Sequence, residues 1–204
     1  MNKLKSIIFI ILLINLFACE PPVTFDEPQP INTDNLSTFP KRLKGQYLSI
    51  DGKSTLIIDD KLIRRIYDYD YRFHRNDIDT FSRISGDTII DTDTNEKTLV
   101  KFDGDTIINH IHYTDTTFTL NYDNVVRKLK GYYFLNIRYD QESWIVEKLK
   151  LYRGRLTISG ISTKAEIDNL IAITESSQDT ISPFKFKATK KQFKKFVNND
   201  GFAK

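Results

Sequence analysis

The chain has 204 residues, of which 30 are Lys or Arg and 27 are Asp or Glu, for a formal net charge of +3. This near-balance argues against binding of nucleic acid by bulk charge. The length suits one globular domain of ordinary size with an adequate core. Cys19 is the only cysteine, which excludes an intrachain disulfide. An enzyme, a binding protein and a scaffold all remain compatible with these totals.

Residues 1–18 have the layout of a secretory signal peptide. Lys3 and Lys5 precede an apolar run over residues 7–14, and a small residue ends the segment. The run is shorter than the ~20 residues that a helix needs to cross a bilayer. Residues 20–22, Glu-Pro-Pro, cannot continue a helix. We therefore predict an exported chain rather than one with a stable transmembrane span.

The residues around the cysteine resemble the lipobox of bacterial lipoproteins. Leu16, Ala18 and Cys19 match that motif, whereas Phe17 is bulkier than most residues at its position. The resemblance implies cleavage before Cys19, a thioether-linked diacylglycerol on its sulfur and an acylated amino terminus carrying a chain such as palmitate. Two or more acyl chains hold a protein stably on a membrane. The alternative is an ordinary signal peptide followed by a free cysteine.

Residues 19–40 are predicted to form the lipidated cysteine and a proline-rich tether. This segment holds five of the six prolines, with polar residues between them. Extended at ~3.1 Å per residue, it would hold a domain up to roughly 60 Å from a bilayer. Phe25 and Phe39 offer the alternative that the segment packs on the domain.

Residues 41–204 are predicted to form a mainly β domain, a single antiparallel meander that is barrel-like or a sandwich and ends in two short helices. Short apolar runs, rich in Val, Ile, Thr and Tyr, are broken about every 8–12 residues by Asp, Asn and Gly. The predicted strands are Gln46–Ile50, Thr55–Ile58, Lys61–Tyr71, Thr80–Ile84, Thr88–Asp91, Lys97–Phe102, Thr106–Tyr113, Thr116–Leu120, Val125–Leu129, Tyr132–Arg138, Ser143–Tyr152 and Arg155–Ser159.

The stretch of residues 67–74 alternates strictly between aromatic and polar side chains. One face carries Tyr67, Tyr69, Tyr71 and Phe73, and the other carries Asp68, Asp70, Arg72 and His74. One interpretation is an aromatic platform for sugar or peptide, or an acid–base pair of Asp68 and Asp70. We favour a half-buried strand with a polar outer side, because the arginine beside the carboxylates indicates a solvated face.

A repeated stretch helps to set the register of a later hairpin. The sequence of residues 86–90 recurs at residues 104–108, which indicates two hairpin turns of the same construction. With residues 103–104, Asp-Gly, as the second turn, Lys97 lies opposite His110. The Arg153-Gly154 pair predicts a second hairpin.

With Arg153-Gly154 as a two-residue turn, Leu151 faces Leu156 and Leu149 faces Ile158. All four apolar side chains then lie on one face, as a core requires. The sequence therefore predicts both the turn and the register of this hairpin.

His110 and His112 lie two residues apart and so share one face of a predicted strand, a spacing found in some metal sites. The predicted register places Lys97 beside them, and the third histidine, His74, lies on a different strand. We therefore interpret the pair as half-exposed strand residues and predict neither a metal ion nor a cofactor.

Two capping boxes predict the C-terminal helices. Thr163-x-x-Glu166 and Thr189-x-x-Gln192 each precede apolar residues at helical spacing. Gly201 is placed to end the second helix.

The second helix is rich in lysine. On it, the aromatic residues would face inward and Lys190, Lys191, Lys194 and Lys195 outward. Near-surface cations each contribute ~1 kcal/mol against an anionic leaflet, so this face would attract acidic lipid headgroups or polysaccharide. The alternative, which we favour, is an ordinary solvated helix face that aids solubility.

No catalytic residue is predicted, because the sequence holds no G-x-S-x-G elbow, H-E-x-x-H zinc pair, phosphate-binding glycine loop or catalytic cysteine. The lipobox, tether and β-rich body resemble those of small lipoproteins of Gram-negative envelopes, which implies a location rather than a mechanism. We predict an exported, membrane-anchored protein of the outer membrane or facing the periplasm, which binds or scaffolds at the membrane surface without catalysis. Its expected partners are the membrane, another envelope protein or a polysaccharide, and not nucleic acid.

Two alternatives stay open. A hydrolase acting on the envelope or on polysaccharide would need two convergent Asp or Glu carboxylates roughly 5–10 Å apart. An inhibitor or immunity-type partner of another exported protein would need a contiguous exposed apolar patch of several hundred Å².

Overall fold

The structure is a computed structural model that describes residues 23–175 and 184–202. The predicted signal peptide and Cys19 lie outside the described residues, so the lipid anchor stays a prediction. Within the described ranges, no helix is both long and apolar enough to span a bilayer.

The fold is mainly β, with antiparallel strands and two helices near the C-terminus, as predicted. The described part of the chain divides into two compact units. Of the described residues, the terminal unit combines 23–38 with 120–175 and 184–202, and the central unit comprises 39–119. The sheets formed by the described residues stay open and do not close into a barrel.

Short turns connect most of the elements. In chain order the strands are β1 (Thr24–Phe25), β2 (Gly45–Leu48), β3 (Ser54–Ile58), β4 (Leu62–His74), β5 (Ser82–Ser85), β6 (Thr88–Asp91), β7 (Lys97–Leu99), β8 (Lys101–Asp103), β9 (Thr106–Thr119), β10 (Asn124–Leu129), β11 (Tyr132–Arg138), β12 (Trp144–Tyr152), β13 (Arg155–Ser159) and β14 (Lys185–Phe186). The helices are α1 (Lys164–Thr174) and α2 (Lys190–Asn198). Strands β6, β11 and β13 have the predicted bounds.

Both helices begin at the predicted capping boxes. The Glu166 backbone N–H donates to the Thr163 hydroxyl at 3.2 Å, and the Thr163 N–H donates back to the Glu166 carboxylate at 2.9 Å. Thr189 and Gln192 make the same pair of bonds, at 3.3 Å and 2.9 Å. These bonds satisfy backbone donors that a helix start otherwise leaves without partners.

In the terminal unit, the strands form one sheet of order β10-β11-β12-β1-β14, with β13 also paired to β12. Every pair is antiparallel except β1 with β14. Helix α2 contributes Phe193, Phe196 and Val197 to the core, at the predicted helical spacing. The ring of Phe134 from β11 lies 4.9 Å from that of Phe193 in an edge-to-face contact. An aromatic core therefore joins this sheet to α2.

Part of the segment predicted as a tether packs on the fold, which was the stated alternative for Phe25 and Phe39. Phe25 is fully buried in the terminal unit, and Phe39 is buried in the central unit. The side chain of Asn136, also fully buried, accepts a bond from the Gln29 backbone N–H and donates one to the Gln29 carbonyl at 3.0 Å. Residues 23–40 are therefore not a free extended spacer.

The Arg153-Gly154 hairpin has the predicted register. Leu151 lies opposite Leu156 and Leu149 opposite Ile158. The two turn residues have φ values of 48° and 77°, and a two-residue turn with positive φ at both positions matches the twist of antiparallel strands. The sequence signal and the backbone geometry agree here.

The central unit contains a sheet of order β2-β3-β4-β9-β8 and a smaller sheet β5-β6-β7. Strands β4 and β9 have 13 and 14 residues and pair along nearly their whole lengths, and we call this pair the β4–β9 ribbon. The prediction split β9 into two strands around Asp115. The ladder continues there because Asp115 lies opposite Arg65, and opposite charges across a strand pair stabilise it.

The predicted register of the second hairpin was wrong. The turn is Gly104-Asp105 rather than Asp103-Gly104. The strand also breaks at the buried Val100, so that its first part, β7, pairs with β6 in the smaller sheet. Lys97 therefore lies in a different sheet and does not face His110.

Candidate functional site

Four exposed titratable side chains meet on one face of the β4–β9 ribbon. Asp68 and Asp70 come from β4, and His110 and His112 come from β9. The antiparallel register sets Asp68 opposite His112 and Asp70 opposite His110. Because strand residues two apart share a face, all four side chains point the same way. We call this group the Asp–His ladder.

The ladder is closely connected. His110 Nδ1 lies 3.2 Å from Asp70 Oδ1, and His112 Nδ1 lies 3.3 Å from Asp68 Oδ2. The other ring nitrogen of His110, Nε2, lies 3.6 Å from Asp68 Oδ1. The imidazole rings are nearly parallel, with centroids 6.4 Å apart. Asp68 therefore bridges both histidines through its two oxygens.

Two positively charged side chains border the ladder at one end. Arg72 follows Asp70 on the same face, and Lys101 of β8 lies on that face opposite Ile108. At the other end the next pair is Ile66 and Thr114. Asp68 and His112 therefore lie at the end away from both cations.

Two cavities in the central unit are lined by ladder residues. One, of about 270 Å³, includes Asp70 and His110, together with Asp87 and Lys101. The other, of about 230 Å³, includes Asp68. Both are small beside the roughly 300–1,000 Å³ of typical small-molecule sites.

The opposite face of the ribbon carries the predicted aromatic row. Tyr67 stacks on Tyr113 with centroids 4.5 Å apart, and Tyr71 stacks on Phe73 at 5.4 Å. The Lys53 ammonium lies 5.2 Å from the centre of the Tyr69 ring. These rings therefore contact one another and a cation, as expected for strands that are stabilised by contacts between neighbouring side chains.

The arrangement does not favour Asp68 and Asp70 as an acid–base pair. Their side chains are 61% and 49% exposed, and each faces a histidine. Each carboxylate therefore lies next to an imidazole rather than next to the other carboxylate, unlike the paired carboxylates of acid–base sites. The predicted polar outer face is what the structure has at these two positions.

The lysines of α2 face outward as predicted. Lys190, Lys191, Lys194 and Lys195 are exposed, while Phe193 and Phe196 are buried. Lys190 Nζ donates to the Asn32 carbonyl at 3.0 Å. This places four cations on one side of a nine-residue helix.

Two ionisable groups in β12 of the terminal unit have perturbed acidities. Burial raises the pKa of the Glu147 carboxyl. Burial, and then the neighbouring Lys150, lower the pKa of the Lys148 ammonium. Lys148 Nζ donates to the Gly201 carbonyl at 3.0 Å and lies 5.5 Å from the centre of the Phe202 ring, so its contacts are structural.

Sequence reasoning found every ladder residue but not the ladder. The Asp-x-Asp and His-x-His patterns placed each pair on a face correctly. Their pairing depends on the register of strands 44 residues apart, from Asp68 to His112, and no local signal sets that register. The complementary alternation in the two strands was the signal available.

Comparison with known proteins gives no family for this chain. No family model matches it, and no curated protein or solved structure matches it either. The function is therefore argued from the residues and their geometry.

Proposed function

We propose that the protein is a lipid-anchored component of the cell envelope that binds or scaffolds at the membrane surface without catalysis. The observation that carries this proposal is the Leu16-x-Ala18-Cys19 motif directly after an apolar run that follows two lysines. The described residues support this proposal, because the Asp–His ladder and the lysine face of α2 lie on exposed surfaces rather than in enclosed pockets.

The anchor is tested with Cys19→Ser in the full chain. Without the sulfur no diacylglycerol can be attached, so the variant moves from the detergent-rich phase to the aqueous phase in a detergent phase separation. Ser6→Ala, in the leader but outside the motif, is the matched control and partitions like the parent. We expect mass spectrometry of the parent to show acyl chains on Cys19. An unchanged partition of Cys19→Ser, or a bare thiol in the parent, would contradict the proposal.

The lysine face of α2 is proposed as a contact for acidic lipid headgroups. Long-range attraction between exposed charges weakens with salt, so binding to vesicles containing phosphatidylglycerol is expected at low salt and not to phosphatidylcholine vesicles. The variant carries Lys190→Gln, Lys191→Gln, Lys194→Gln and Lys195→Gln in the Cys19→Ser chain, so that the anchor does not mask the effect.

The control for that variant changes four exposed lysines of the central unit to glutamine and so removes the same net charge: Lys41, Lys61, Lys97 and Lys101. We expect the α2 variant to lose most vesicle binding and the control to keep it. Equal binding by the two variants would return α2 to the role of a solvated, solubilising face.

A hydrolase is the second candidate, favoured by one observation. The cavity of about 270 Å³ is lined by two carboxylates, Asp70 and Asp87, together with His110. Glycosidases use two carboxyl groups on either side of the scissile bond. Release of sugar fragments from envelope polysaccharide by the parent, lost in both Asp70→Asn and Asp87→Asn, would replace the binding proposal with this one.

A further inference from the structure

We propose that Asp68, His110 and His112 form a binding site for a divalent transition-metal ion, with Zn²⁺ as the ion that fits best, and that Asp70 positions His110. The inference goes beyond the proposed envelope role and does not depend on the lipid anchor. It reverses the prediction of no metal ion, which rested on Lys97 lying beside the histidines.

The donor set selects the class of ion. Two imidazole nitrogens and one carboxylate oxygen suit Zn²⁺ and other first-row divalent ions. Calcium and magnesium ions take oxygen ligands and leave imidazole aside. The pattern of two histidines and one carboxylate therefore points to a transition ion rather than to a hard cation.

The distances match a metal site before any ion is considered. Ligand atoms about 2.0–2.1 Å from a tetrahedral Zn²⁺ lie about 3.3 Å from one another. The separations from Asp68 oxygens are 3.3 Å to His112 Nδ1 and 3.6 Å to His110 Nε2. One ligand atom from each of the three residues lies within 4.8 Å of the other two. Because the 3.3 Å and 3.6 Å distances run to different oxygens of Asp68, the side chains would rotate on binding to bring all three ligand atoms to about 3.3 Å from one another.

Asp70 supplies what such a site needs behind its ligand. A metal-binding histidine usually gives its second ring N–H to a carboxylate, which fixes the tautomer and aims the other nitrogen at the ion. The 3.2 Å contact of His110 Nδ1 with Asp70 Oδ1 leaves His110 Nε2 directed towards Asp68.

The setting of the three ligands supports the same assignment. They stand on paired strands whose ladder runs over 13 residues, so their backbone positions are well fixed. Arg72 and Lys101 lie on this face beyond Asp70. Arg64 lies beyond Ile66 at the other end, 3.5 Å from Asp59, so none of these cations lies between the ligands. The side chains of Asp68, His110 and His112 are 60–61% exposed, so three protein ligands leave at least one coordination position open to water or to a partner's side chain.

The test is a Zn²⁺ titration of the full chain carrying Cys19→Ser, purified in detergent without a histidine tag. Removing the cysteine means that no thiol competes for Zn²⁺ and that the outcome of the anchor experiment does not affect this one. We expect saturable binding of one Zn²⁺ per chain, unchanged by millimolar Ca²⁺ or Mg²⁺ and weakened in acid, because ligating imidazoles must be unprotonated.

Variants locate the site. His110→Ala and His112→Ala are expected to abolish saturable binding, and Asp70→Asn to weaken it roughly 10–100-fold, the usual effect of losing the partner behind a ligand. His74→Ala is the matched control: it is exposed on the same face of β4, but its Nδ1 accepts a bond from the Asn76 N–H at 3.1 Å. It should bind like the parent.

A spectroscopic readout separates a local effect from loss of folding. Cu²⁺ binds a given set of ligands more tightly than Zn²⁺ does, so His112→Ala should still hold Cu²⁺ through its remaining ligands. The electron paramagnetic resonance spectrum should then show two coordinating imidazole nitrogens in the parent and one in His112→Ala. Absence of saturable Zn²⁺ binding in the parent, equal binding in a His110→Ala/His112→Ala double variant, or an equal loss in His74→Ala would each overturn the proposal.

Discussion

The terminal unit and the β4–β9 ribbon of the central unit are stabilised in different ways. In the terminal unit, phenylalanine rings from the sheet and from α2 pack edge to face, and Phe134, Phe193 and Phe196 are fully buried. In the half of the ribbon that contains the Asp–His ladder, both faces carry exposed side chains, such as Asp68 on one face and Tyr71 on the other. The terminal unit buries a cluster of phenylalanine rings, whereas the ribbon exposes Tyr71 and Tyr113.

The difference teaches where function can lie in this chain. Burying a large apolar side chain contributes roughly 1.5–3 kcal/mol, so the terminal unit draws stability from groups that are no longer free to bind. The ribbon relies on backbone bonds and on cross-strand pairs of roughly 0.2–1 kcal/mol each. Its side chains are therefore available for chemistry, and the Asp–His ladder is where reactive groups have gathered.

The largest expected effect is in the terminal core. Phe134→Ala leaves a cavity against Phe193 and Phe202 and should lower the free energy of unfolding by about 3–5 kcal/mol. Trp144, the only tryptophan, lies in this unit, so its fluorescence during urea unfolding reports on it directly.

The control for Phe134→Ala is Tyr122→Ala in the same unit. Tyr122 is 90% exposed, and its loss should change the free energy of unfolding by no more than about 0.5 kcal/mol. Similar costs for the two variants would mean that the aromatic core does not stabilise the terminal unit.

A smaller effect is expected in the ribbon. Tyr67→Leu removes the stack on Tyr113 but leaves the backbone ladder intact. The stacking of an aromatic pair adds little stability beyond that of the apolar area the rings bury. Backbone amide hydrogens of β4 and β9 should therefore exchange with solvent only roughly three- to tenfold faster in the variant. Hydrogen-exchange mass spectrometry measures this.

Phe81→Ala is the control for Tyr67→Leu, because Phe81 is exposed but lies outside the ribbon, just before β5. Exchange in β4 and β9 should stay unchanged in it. If Tyr67→Leu unfolded the ribbon altogether, the ribbon would depend on aromatic packing for its stability, as the terminal unit does.

Local signals predicted the elements, and non-local pairing decided the site. The caps at Thr163 and Thr189 and the Arg153-Gly154 turn act within a few residues, so the sequence specifies them directly. Gly86 and Gly104, in the repeated stretch, have positive φ and both begin two-residue turns. The repeat therefore marks two turns of the same construction, although the second turn lies one residue later than predicted.

The ladder could be predicted only in part. Alternation placed His110 and His112 on one face, but the strand opposite them is chosen by competition among all strands of the unit. The break at the buried Val100 moved Lys97 into another sheet and left β4, with its two aspartates, as the neighbour. Because no sign of this break is present in the sequence, the prediction placed the cation Lys97 beside the histidines, where the structure has the carboxylates of Asp68 and Asp70.

The smallest expected effect concerns a carboxyl group that the terminal unit partly buries. Burial raises the pKa of Glu147 above its value in the unfolded chain, so the folded state disfavours the charged form. Its contribution to stability is therefore fully present below the unfolded pKa of about 4.3 and is lost as the pH rises through the folded pKa. Glu147→Gln should gain stability over the parent at pH 8 but not at pH 4, by Trp144 fluorescence in urea.

The exposed Glu175 provides the control, since Glu175→Gln should differ from the parent by the same small amount at both pH values. If Glu147→Gln showed no gain at pH 8, water would reach that carboxyl as freely as it reaches the aspartates of the ribbon. Close packing in the terminal unit would then be limited to its phenylalanine rings. The terminal unit and the ribbon would differ only in the burial of those rings.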